Sequence, residues 1–64
     1  MMNVKLTSLH GDREVLLNWD NVNFIMGVKN YSGQEYTEVC FNSKSLEVRE
    51  TFDEVKQQIR ENNS

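Results

Sequence analysis

The chain holds one histidine, His10, and one cysteine, Cys40. An imidazole can act as general base or metal ligand near neutral pH. A thiolate can act as nucleophile or redox centre. Each needs a partner that the neighbouring residues do not supply. His10 precedes Gly11 and Asp12 in what reads as a polar turn, with no nucleophile or second ligand beside it. Cys40 has no adjacent cation to favour its thiolate, and its alternation places it with Tyr36 on the less buried side of a strand, where a small packing residue fits. The hydroxyls of Thr7, Ser8, Ser43 and Ser45 lie outside any G-x-S-x-G setting. One Cys and one His cannot complete a structural zinc site. The carboxylates do not follow the spacing of a calcium loop, and Gly11, Gly27 and Gly33 are too far apart to cradle a phosphate. The sequence therefore predicts a chain that is not an enzyme, with no catalytic residue, no metal and no cofactor.

The elements that must position these side chains read as five short strands and one helix. Val4 and Leu6 alternate with Lys5 and Thr7 in a first strand over about 3–9. His10-Gly11-Asp12 turns it into a second strand over about 13–18, with Val15 and Leu17 on one side and Leu16 on the other. Asn18-Trp19-Asp20-Asn21 breaks the alternation, as a tight turn or one 3₁₀ turn would. A third strand over about 22–29 is apolar on both sides: Val22, Phe24, Met26 and Val28 share one, and Ile25 falls on the other, expected to lie away from the core. Asn30–Gln34 is a hairpin loop. A fourth strand over about 36–42 and a fifth over about 45–49 follow, separated by a short turn around Asn42-Ser43-Lys44. Thr51-Phe52-Asp53-Glu54 has the form of a capping box, and Phe52, Val55 and Ile59 make one apolar stripe on a helix over about 52–62. The expected fold class is α+β, mostly β. Five antiparallel strands form a meander curled into a small half-open barrel, with the C-terminal helix across one end.

Length and composition narrow the function classes. The 64 residues make one domain, residues 1–64, with 38% hydrophobic and 27% charged residues and a net charge of −3. Mean hydropathy is −0.67. No apolar run approaches the roughly 20 residues of a membrane span. No apolar stretch follows the first residues, so no secretory signal is expected and a cytoplasmic location is. Lys5, Arg13, Lys29, Lys44, Arg49, Lys56 and Arg60 are scattered among acidic residues, whereas phosphate binding wants a basic stripe, so a nucleic-acid partner is disfavoured. A protein partner, or self-association of a domain too small to bury much surface, fits better. Trp19 in its polar turn is either an anchor for such an interface or a lid over one end of the barrel. Tyr31 at the loop tip, Tyr36 on the outward face and Ile25 would extend the same surface.

The first half of the chain carries Lys5-Leu6-Thr7, a turn glycine at Gly11, then Leu17-Asn18-Trp19-Asp20-Asn21-Val22 and Ile25. The second half carries Leu46-Glu47-Val48-Arg49-Glu50-Thr51, then Asp53-Glu54-Val55 and Ile59. Over nearly the whole chain, residues 4–60, these segments resemble the FlbD-like flagellar proteins, the first being similar to that family's LN-x-D-x-I-x-x-I stretch and the second to its V-x-E-S-x-E-E-V-x-x-x-I ending. The chain differs where the family usually has proline, at Trp19, and in a longer middle loop over residues 29–35. The resemblance implies a small bacterial cytoplasmic protein linked to motility, with no catalytic residue to carry over. Small proteins of phages and other bacteria share the pattern. The alternatives are therefore a phage or mobile-element accessory protein and a small nucleic-acid-binding barrel.

Overall fold

The computed structural model describes residues 3–63. The strands are β1 (Asn3–Thr7), β2 (Glu14–Asn18), β3 (Phe24–Lys29), β4 (Glu35–Phe41) and β5 (Lys44–Val48); the helix α1 spans Phe52–Asn63. This is the mostly-β arrangement with one C-terminal helix that the sequence predicts. The strands fall into two antiparallel sheets, β1-β2 and β3-β4-β5. The sheets meet between β1 and β5 through a bridge from Ser8 to Val48. There the Leu9 amide donates to the Glu47 carbonyl at 2.9 Å and the Arg49 amide donates to the Thr7 carbonyl at 2.8 Å. The seam between β2 and β3 stays open, so the barrel is half-open.

Local chemistry explains the open seam. Asn18 caps a 3₁₀ turn over Trp19–Asn21, its Oδ1 accepting from the Asp20 amide at 3.1 Å. The Val22 amide closes that turn on the Trp19 carbonyl, so β3 starts at Phe24 rather than Val22. A turn of this kind carries the chain away from β2 instead of folding it back as a hairpin. Asn23 then ties to the β4-β5 turn, accepting from the Asn42 amide at 3.1 Å.

The core is small and aliphatic. Val4, Leu6, Val39, Val48 and Val55 are fully buried, with Leu17, Trp19, Val22, Ile25, Phe41, Leu46 and Ile59 packed around them. Thr37 is also buried; its hydroxyl donates to the Glu50 carbonyl at 2.7 Å, which satisfies the polar atom. The capping box forms as predicted: the Thr51 amide donates to Glu54 Oε1 at 2.9 Å and the Glu54 amide donates to Thr51 Oγ1 at 3.2 Å. Val55 and Ile59 dock on the core, while Phe52 lies over Gly27 and stays 38% exposed. The helix also serves β1 directly. Gln58 Nε2 donates to the Lys5 carbonyl at 2.8 Å and Asn62 Nδ2 to the Asn3 carbonyl at 3.3 Å. The backbone edge of β1 that faces away from β2 is thus partly covered by helix side chains.

One expectation is overturned. Ile25 does not lie away from the core. It stands opposite Val39, which is fully buried, and directly opposed residues share a face. Phe24, Met26 and Val28 therefore point outward with Cys40, Glu38 and Tyr36, their partners in the ladder.

Candidate interaction surface

The outer face of β3-β4-β5 is organised in cross-strand rows. Phe24, Cys40 and Ser45 make one row; Met26, Glu38 and Glu47 make the next; Val28 and Tyr36 make the third. Phe24 is 55% exposed and Met26 43% exposed. Both belong to β3, the end strand of its sheet. The alternation of residues 24–28 separates two faces but does not say which one the core takes. The pairing with β4 shows which it is. These are the surface residues that sequence reasoning missed, and the polar alternation of Tyr36, Glu38 and Cys40 was the signal that could have found them.

Each residue expected in the surface has a definite place. Tyr31 is fully exposed at the tip of the β3-β4 loop. That loop is held by Asn30, whose Oδ1 accepts from the Ser32 amide at 3.1 Å, the Gln34 amide at 3.0 Å and the Ser32 hydroxyl at 2.7 Å. Tyr36 is half-buried on the outer face. Trp19 is half-buried and packs against the core cluster. Ile25 belongs to the inner side. The outer face thus brings Tyr36 together with Phe24, Met26, Val28 and Cys40, and leaves Trp19 and Ile25 out.

The electrostatics of the face centre on Glu47. Its Oε1 lies 2.9 Å from His10 Nε2. A carboxylate can only accept, so Nε2 carries the proton. Hydrogen bonds from His10 and then from Tyr36 hold the Glu47 carboxyl below its ordinary pKa, against a smaller opposing effect of burial. Tyr36 shifts the other way: partial burial, the hydrogen bond to Glu47 and the charges of Glu47 and Glu38 push its phenol up. Cys40 is likewise pushed up by burial and by the charge of Glu38. A raised pKa keeps the thiol protonated, the opposite of what a nucleophile needs. A hollow of about 320 Å³ beside Cys40 is lined by Asn23, Phe24 and Phe41 but not by His10. A second, of about 240 Å³, lies between Gly27, Val28 and Phe52. Among the described residues no group of three His, Cys, Asp or Glu could hold a metal ion.

The turn that carries His10 is pinned from several sides. Arg49 pairs with Asp12, and Ser8 Oγ donates to the His10 carbonyl at 3.0 Å. With the backbone bonds at Leu9 and Arg49, these contacts hold the β1-β2 hairpin against β5 where the sheets join. The His10–Glu47 pair therefore serves as a clasp between sheets and as a border of the outer face. No helix among the described residues is long and apolar enough to cross a membrane. No protein-family model, curated protein or solved structure matches the chain.

Proposed function

We propose that the chain is a non-enzymatic protein-interaction module that binds through the outer face of β3-β4-β5. The observation that carries this reading is the pair Phe24 and Met26, two large apolar side chains standing in solvent side by side on an end strand. An apolar patch rimmed by polar groups is the ordinary mark of a contact surface. Tyr36, Val28 and Cys40 continue it inward, and Glu38 and Glu47 supply the polar border. Tyr31 stands beyond the same strands on a loop that Asn30 preorganises, which lowers the cost of ordering it on binding. A role in the motility of a bacterial host follows from the resemblance to the FlbD-like proteins and belongs to the same reading.

The test replaces the two exposed residues together. Phe24→Ser with Met26→Ser is expected to abolish association, with itself or with a partner isolated from the host, while the circular-dichroism spectrum keeps its native form. Association unchanged in that variant overturns the reading. For the motility role, deletion of the gene is expected to shrink the swarming zone of the host, and complementation with the double variant is expected not to restore it. Normal swarming of the deletion strain overturns that role.

A further inference from the structure

We propose, building on the interaction-surface reading above, that the partner on this face is a second copy of the chain, docked head to tail through the outer side of its β1-β2 hairpin. The β1-β2 sheet carries its own exposed apolar residue, Leu16, which is 67% exposed. Leu16 stands directly opposite Lys5 in the ladder, so the two share the outer side. Met26 stands directly opposite Glu38 on β3 and β4 in the same way. The hairpin therefore presents Leu16 with Lys5 a strand away, the larger sheet presents Met26 beside Phe24 with Glu38 a strand away, and the two charges are of opposite sign. Laid face to face, Leu16 meets Met26 and Phe24 while Lys5 meets Glu38.

Both charges are available for that contact. Among the described residues Glu38 has no hydrogen-bond or ion-pair partner, although it is half-buried and faces Glu47 across the ladder. Two carboxylates directly opposed in a ladder offer each other no favourable pairing, so a cation delivered to this row finds an acceptor in Glu38. Glu47 has His10 and Tyr36; Glu38 is the member left without a counter-charge. Lys5 pairs with Glu14 only at 3.8 Å, with both side chains largely exposed, a contact easily given up. Charge complementarity of this kind fixes the orientation of the docked copy.

Such a contact is heterologous: it uses a different patch on each copy and leaves one of each free. Heterologous contacts build rings or open chains instead of closing at a dimer. That gives a test that an isologous contact would fail. Light scattering across a wide concentration range is expected to show the wild type growing beyond a dimer. Leu16→Asp and Met26→Asp are each expected to be monomeric alone. Mixed one to one they are expected to form a heterodimer and stop, since each then offers the single intact patch the other needs. Lys5→Glu and Glu38→Lys are each expected to weaken assembly about tenfold or more, and the two together in one chain to restore it with reversed polarity. Circular dichroism and melting temperature verify the fold of each variant; if an aspartate unfolds the chain, Leu16→Ser and Met26→Ser take its place.

The other outcomes separate the two claims. A monomer at every concentration overturns the second copy as occupant and leaves the interaction face for another protein. Assembly lost in Met26→Asp but intact in Leu16→Asp overturns the head-to-tail geometry in favour of a symmetric contact through β3. Assembly indifferent to both overturns this inference and the interaction-surface reading together.

Discussion

Asn42 and Ser43 both hold left-handed backbone, with φ of 48° and 67°. A two-residue hairpin between Phe41 and Lys44 requires that conformation at both positions, because only a primed turn matches the twist of the strands. Asparagine tolerates it; serine carries a Cβ that opposes the following carbonyl at a cost of about 1–2 kcal/mol. Ser43→Gly is therefore expected to stabilise the domain by about 1 kcal/mol, read as a rise of about 4–8 °C in melting temperature. Glu47 gives a pH dependence at the same scale. Its carboxyl is held below its unfolded pKa, so it binds fewer protons in the folded state. The stability it adds is present above the unfolded carboxylate range and is lost as pH falls through the lower folded value. Thermal melts at a series of pH values from 6 downward are expected to fall less steeply for Glu47→Gln than for wild type in that acid window. Parallel profiles would show that the His10–Glu47–Tyr36 bonds do not select the charged form.

At the scale of the element, α1 was the most legible part of the chain. Its start is specified by two residues three apart, and both reciprocal bonds form. Thr51→Ala removes one of them and is expected to cost about 1 kcal/mol, lowering the melting temperature by about 4–8 °C and increasing hydrogen exchange in the first helical turn. Unchanged exchange there would show that docking, not the cap, fixes the helix start. The strands were legible as strands for the same local reason, alternation and turn residues. Their faces were less so. β3 has bulky apolar residues on both sides, and alternation cannot choose between Ile25 and the set of Phe24, Met26 and Val28. The choice came from the register with β4, which sets Ile25 against buried Val39, and from Gly27, whose missing side chain admits Phe52 of the helix. A Cβ built on Gly27 would come within 3.3 Å of that Phe52 side chain.

At the scale of the whole molecule, five aliphatic side chains among the described residues are fully buried, and a domain of this length holds about 3–10 kcal/mol in all. Leu6→Ala leaves a cavity at the centre of that core and is expected to cost about 2–5 kcal/mol. That is a large share of the total, so the variant is expected to lose its cooperative thermal transition or to melt far lower. A small shift would mean that Trp19 and the partly buried ring around it carry more of the stability than the central aliphatic residues. The same thin core accounts for the surface. With two short sheets joined between β1 and β5 and open along the β2-β3 seam, Leu16, Phe24 and Met26 are left in solvent, uncovered by the other described residues.

The sequence by itself determined what depends on neighbours in the chain: the turns at His10–Asp12 and Asn18–Asn21, the hairpin loop at Asn30, the capping box and stripe of α1, and the mostly-β class with one helix. Each is written in residues a few positions apart, because turn hydrogen bonds, alternation and helical spacing are short-range. The tertiary structure alone decided what depends on residues far apart. It set which side of β3 meets the core, joined the sheets at β1 and β5 and left them open at β2 and β3, bound His10 to Glu47, and gave Glu38 no counter-charge among the described residues. Those outcomes follow from register and from competition for a few buried places, and no local pattern records who wins that competition.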